Sequence, residues 1–151
     1  MRRKDREIPK NDAMEILRKG EFGVLSMSTP SNHGYGVPLN YVISGNDIYF
    51  HCAKDGYKLE CLKSNNKVSF CVVGKTEVLP SKFAMMYESA IVFGFAEVVI
   101  ADEKYRALVK LLEKYSSGYI KEVNEYIETY IDNVIVIKIS IDSITGKRRK
   151  I

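Results

Sequence analysis

The 151 residues are 46% hydrophobic and 28% charged. These proportions exclude a disordered chain and give one domain, spanning residues 1–151, enough material to bury a core without disulfides or metal. No run is apolar and long enough to span a bilayer, and residues 1–10 are charged with no apolar segment behind them, so the expectation is a cytoplasmic protein without membrane contact. The formal charge of +4 sits at the ends: five Lys/Arg against Asp5 and Glu7 in residues 1–10, and Lys147, Arg148, Arg149 and Lys150 at the close. The body is net acidic and has no basic stripe interleaved with aromatics, so no nucleic-acid partner is expected.

In chain order, Asn11 is placed to cap a short amphipathic helix carrying Ala13, Met14 and Leu17, with Gly20 as its stop. Residues 22–28 form a β-rich run, Thr29 to Gly36 a turn, and residues 37–44 a second run. Gly45, Asn46 and Asp47 then make a tight turn, so residues 37–51 read as a hairpin. Ile48, Tyr49 and Phe50 are strand, Lys54, Asp55 and Gly56 a turn, and residues 57–64 a helix with Lys58, Cys61 and Leu62 on one face. Residues 68–73 form another strand, and Pro80 lies in a connection with a short helical turn. Residues 88–100 make a long strand apolar on both faces, which predicts burial against a partner chain. Asp102 is placed to cap a helix with Tyr105, Leu108, Val109 and Leu112 at helical spacing. Ile120, Val123, Ile127 and Ile131 suggest a second helix, and Ile135, Ile137, Ile139 and Ile141 alternate in a half-buried last strand. About six hairpin-joined strands with peripheral helices define an α+β antiparallel barrel.

The chemistry concentrates in residues 48–67, where strand passes into helix. A helix beginning near Gly56 offers unpartnered amides at the positive end of its dipole; Gly56 permits close approach, and Lys58 adds an ammonium, which together make a seat for phosphate. The plainer alternative is a turn glycine followed by a solvated lysine. Cys52, Cys61 and Cys71 are odd in number without a close pair, which fits a reducing compartment, and with His51 they lack the paired spacing of a structural zinc site. Gly74, Lys75 and Thr76 end like a P-loop, but position 69 is Ser where the first glycine belongs. Gly34 and Gly36 are not followed by a third fingerprint glycine, because position 39 is Leu. No G-x-S-x-G or H-E-x-x-H occurs.

The run Gly36, Val37, Pro38, Leu39, Asn40, Tyr41, then Ile48, Tyr49, Phe50, His51, Cys52, Ala53, then Gly56, Tyr57, Lys58, resembles the flavin-binding core of the pyridoxamine-phosphate-oxidase-like split barrels. More narrowly it resembles their nitroimidazole-resistance (nitroimidazole reductase) branch. The match continues through Tyr87, Glu88, Ser89, Gly94 and the ending Ile144, Thr145, Gly146, Lys147. The resemblance implies a six-stranded Greek-key split barrel that forms a homodimer, with FMN in a groove between subunits. Carried over, it puts the FMN phosphate at Lys58 and the helix start, with His51, Cys52 and Ala53 alongside. Val37, Pro38, Leu39, Asn40 and Tyr41 run beside the isoalloxazine ring, and Lys147 is a further candidate. The arginine-rich substrate motifs of a true pyridoxamine-phosphate oxidase are missing. A flavin brings its own redox chemistry, which suits a barrel without nucleophile or metal motifs. The implied activity is FMN-dependent reduction of a small acceptor, such as a nitroaromatic, by a reduced nicotinamide or another donor, with His51 as the catalytic candidate or as a strand-end hydrogen-bonding residue. A non-catalytic flavin-binding or flavin-storage module is the alternative.

Overall fold

The described residues form eight strands where the sequence suggested about six. The elements are β1 (Glu7–Ile8), α1 (Lys10–Lys19), β2 (Gly23–Ser28), β3 (Gly34–Leu39), β4 (Val42–Ser44), β5 (Asp47–Ala53), α2 (Tyr57–Ser64), β6 (Lys67–Leu79), β7 (Ala84–Val99), α3 (Ala101–Tyr115), α4 (Val123–Tyr130) and β8 (Val134–Arg149). The computed structural model describes residues 2–150, with the side chains of residues 120–124 outside the description; Ile120 and Val123, expected on a helix face, are among them. The antiparallel order is β3-β2-β6-β7-β8-β5-β4, with β1 added beside β8. A central β6–β7–β8 meander is thus flanked by the hairpins β2–β3 and β4–β5, giving an α+β split barrel whose end strands, β3 and β4, are not paired to each other.

The expected single strand over residues 37–44 is two strands, and the hairpin with β5 uses just β4. The reason lies at Tyr41. Its ring is fully buried and meets Phe70 edge-on at 4.9 Å. Its N–H donates to Tyr115 Oη at 3.0 Å, and its carbonyl accepts from Lys114 Nζ at 2.9 Å. These bonds take the groups a ladder would use, so the strand breaks there. Two expected caps also shift. α1 starts before Asn11, because Pro9 holds the chain extended and its carbonyl accepts the Ala13 N–H at 3.1 Å. Ile100 rather than Asp102 occupies the cap of α3, leaving Asp102 and Glu103 in the first turn, where the helix dipole favours carboxylates.

Burial separates into two layers. Inside the barrel, Leu25, Phe50, Phe70, Val72, Val92 and Ile139 pack together, and Ala13 and Leu17 of α1 plug one end. Outside it, α3 and α4 lay Leu108, Leu111 and Ile127 over Tyr49, Val99 and Val136. Alternation therefore sends Ile48 and Phe50 of β5 inward and Tyr49 outward, and burial of each large side chain contributes about 1.5–3 kcal/mol. The same alternation buries Val136, so β8 is covered on both faces there instead of on one. Close packing also fixes Gly94, beside the bulge in the β7–β8 ladder. A Cβ at this position would lie 2.2 Å from the Ser140 carbonyl oxygen.

Candidate functional site

At the start of α2, Gly56 has φ 128° and ψ 159°, a conformation that strongly favours glycine. Its carbonyl accepts the Leu59 N–H at 2.9 Å, while the N–H groups of Tyr57 and Lys58 have no intrahelical acceptor. A Cβ built on Gly56 would meet nothing within 4 Å, so the approach to these amides is open. Lys58 is half-buried, with Nζ 5.6 Å from the centre of the Phe50 ring, and it has no carboxylate partner among the described residues. Tyr57 packs edge-on against Tyr35 of β3 at 5.3 Å, which ties the helix start to the edge strand. Sequence reasoning singled out neither tyrosine as a site residue, and their aromatic character beside Gly34, Gly36 and Gly56 is the signal it had to work with.

β5 delivers His51, Cys52 and Ala53 opposite Val136, Ile135 and Val134 of β8. Cys52 packs against the barrel interior, whereas His51 stands on the helix side, in a cleft of about 150 Å³ with Leu108, Leu111, Tyr126, Ile127 and Tyr130. Tyr126 and Tyr130 have ring centres 4.6 Å apart. The imidazole keeps an exposed edge, yet loss of water on its cleft side holds its pKa below the ordinary histidine range, and the Lys58 charge acts in the same direction. Burial raises the Cys52 thiol pKa, with Lys58 opposing. Lys58 thus acts on groups of both sheet faces, and the neutral imidazole is favoured near neutral pH. The three cysteines are free, and among the described residues no cluster of three or more metal-ligating side chains occurs.

β3 is paired on one side by β2, from Gly34 opposite Ser28 to Leu39 opposite Gly23. Its other edge carries no strand among the described residues, so alternate backbone donors and acceptors face outward. Gly36, Pro38 and Asn40 are exposed, and Val37 and Leu39 are half-buried against the barrel interior. Tyr41 does not join this open edge: its side chain is in the core, its hydroxyl donates to the Leu17 carbonyl, and its backbone groups are engaged by Lys114 and Tyr115. Lys147 also lies elsewhere. It pairs across to Ser89 and Glu7, eleven residues along β8 from the partner of His51, a path of about 36 Å at the usual strand rise. One chain therefore brings Lys58 near His51 and Cys52, which stand on opposite faces of β5, and ties the start of α2 to β3 through Tyr57 and Tyr35, while Tyr41 and Lys147 lie apart.

Over residues 9–148 the sequence matches the family described as pyridoxamine 5'-phosphate oxidase, and the chain belongs to that family. No curated protein matches it. Among solved structures, a candidate 5-nitroimidazole antibiotic resistance protein of Bacteroides thetaiotaomicron is similar at TM-score 0.77 and 23% identity, covering 94% of this chain and 86% of that one. A conserved hypothetical protein of Mycobacterium tuberculosis is similar at TM-score 0.82 and 16% identity, over 97% and 88% of the two chains. An FAD-binding protein of Mesorhizobium loti reaches TM-score 0.67 at 19% identity, over 96% and 98%. These likenesses establish the split-barrel fold.

Proposed function

We propose that the chain is an FMN-dependent oxidoreductase that reduces a small acceptor, such as a nitroaromatic, with electrons from a reduced nicotinamide or another donor. The start of α2 carries this reading: two amides without an intrahelical acceptor follow Gly56, where the backbone is open, and Lys58 in the same first turn adds an ammonium with no carboxylate partner among the described residues, which suits a phosphate dianion. The unpaired edge at Val37, Pro38, Leu39 and Asn40 offers backbone groups, less the N–H that Pro38 lacks, to the polar rim of an isoalloxazine, and Cys52 and Ala53 at the end of β5 complete the proposed contacts. FMN, when bound, supplies the redox chemistry, so the protein has to hold and orient it and manage protons. His51, neutral at physiological pH and beside an apolar cleft, donates a hydrogen bond or moves a proton during reduction. The name of the Bacteroides relative supports the acceptor class.

The reading includes a homodimer. Ile91, Phe93 and Phe95 follow one another on one face of β7 and are 39%, 54% and 45% exposed, an apolar row that a second copy would cover. A Lys147 contact to the same cofactor would come from that second copy. Purified protein should take up FMN and turn yellow, oxidise a reduced nicotinamide when a nitroaromatic is supplied, and scatter light as a dimer. His51→Asn should keep its melting temperature and flavin content while turnover per bound flavin slows about a hundredfold. Stoichiometric FMN without turnover of any donor would identify a flavin-storage module instead.

A further inference from the structure

The largest of the described clefts, about 420 Å³, lies away from α2, where the turn Lys4–Arg6 and β1 run beside the end of β8. Five cations line it against Asp5 and Glu7. Some are already committed: Arg3 Nε donates to Asp5 at 2.8 Å, and Arg148 is held by Glu88 at 3.0 Å and Asp12 at 3.2 Å. Others are not. Arg149 and Lys150 have no carboxylate partner among the described residues, and Arg6 has a loose one, Asp5 at 3.9 Å, plus a long contact from Nη1 to Tyr87 Oη at 3.4 Å. The cationic surroundings reach Tyr87, whose phenol is held below its usual range by Arg6 first and by Lys147. A concave site with one guanidinium fork free of carboxylates, a second held only by long contacts, and an ammonium is chemically suited to an anion with several oxygens on one centre. The ladder pairs Glu7 with Lys147 and Ile8 with Gly146, fixing both walls of the cleft.

We propose that this terminal cleft is a second anion site, which binds a phosphate-bearing small molecule through Arg6, Arg149 and Lys150, independently of the seat at α2. The phosphate could be free, or could belong to a dinucleotide such as the 2'-phosphate of a nicotinamide donor; the shared chemistry is the phosphate group.

The test is calorimetric titration of the full chain, with FMN saturating the α2 seat, using pyrophosphate, NADP+ and NAD+ in turn. One equivalent of pyrophosphate should bind, at least tenfold more weakly in Arg6→Gln/Arg149→Gln and unchanged in Lys58→Ala. NADP+ binding at least tenfold tighter than NAD+ would assign the site to the 2'-phosphate, equal binding of the two would assign it to the diphosphate bridge they share, and binding of pyrophosphate with neither dinucleotide would assign it to free phosphate. Arg149→Gln alone, at the end of β8, keeps the test available if the double variant misfolds. Absence of saturable binding, retention of full affinity in both arginine variants, or loss in Lys58→Ala alone would each overturn the proposal. So would affinity for an oligonucleotide that rises with its length while pyrophosphate binds negligibly, since that describes an extended polyanion surface. FMN uptake by the arginine variants reports separately on the α2 reading.

Discussion

Two lysines show how a similar group is used in opposite ways. At the end of α3, Lys114 Nζ donates to the Gly20 carbonyl at 2.7 Å and the Tyr41 carbonyl at 2.9 Å, and sits 4.1 Å above the Tyr41 ring. Tyr115 reinforces it, with Oη accepting the Tyr41 N–H and lying 2.6 Å from the Glu21 carbonyl. At the start of α2, Lys58 has a distant ring and no hydrogen-bonded acceptor among the described residues, beside amides equally without one. The Lys114 region has spent its donors on its own carbonyls and therefore fixes structure. The Lys58 region has kept them and can hold a ligand. The two are connected, because Lys114 fixes the break at Tyr41 that ends the β3 edge on which the proposed cofactor contacts lie.

If this division is right, damage to the first region should be read in stability. Tyr41→Ala, which empties a fully buried aromatic position, should cost about 3–5 kcal/mol in urea unfolding. Lys114→Met keeps the apolar stem but leaves the Gly20 carbonyl without this donor, and should cost about 1.5–3 kcal/mol by the same measurement. Values within 0.5 kcal/mol of wild type for Lys114→Met would mean that the latch is ornamental. The smallest effect concerns pH. Because the folded imidazole of His51 has a pKa below its ordinary 6.5, the unfolded chain binds the proton more readily. This contribution to stability is fully present above about pH 6.5 and is lost as pH falls through that value toward the folded pKa. Unfolding midpoints measured between pH 7.5 and 5.5 should fall less steeply for His51→Asn than for wild type.

The sequence was most legible where a local rule coincided with the tertiary outcome. Helix α2 appears over residues 57–64, the turn at Pro80 is present, and Gly20 ends α1. The strand count was less legible because β1 is two residues long and exists through pairing with β8, far along the chain, where Ile8 lies opposite Gly146 and Glu7 opposite Lys147. The break at residues 40–41 was hidden for a similar reason: Lys114 and Tyr115 impose it from the far end of α3, and nothing in the local run of residues 37–44 announces it. In the candidate site, Gly56 and Lys58 were readable from spacing, since a glycine before a helix and a lysine in its first turn have local meaning. The burial of the Tyr41 ring was not legible, because an aromatic beside a candidate ligand strand looks the same in sequence whether it faces ligand or core. The Tyr35 and Tyr57 contact, joining β3 to α2, is a tertiary fact whose one trace in the sequence is two aromatics beside the glycines of β3 and the α2 start.

The most direct test of the comparison is to titrate FMN into Lys58→Ala and Lys114→Met side by side, following flavin fluorescence, with urea unfolding of each variant as the companion measurement. Lys58→Ala should unfold like wild type and bind FMN about 10-fold to 150-fold more weakly, the equivalent of about 1.5–3 kcal/mol for a lost charge-assisted contact. Lys114→Met should lose stability, with a smaller loss of FMN affinity. Wild-type affinity in Lys58→Ala, or a larger affinity loss in Lys114→Met than in Lys58→Ala, would contradict the assignment of the α2 start as the phosphate seat.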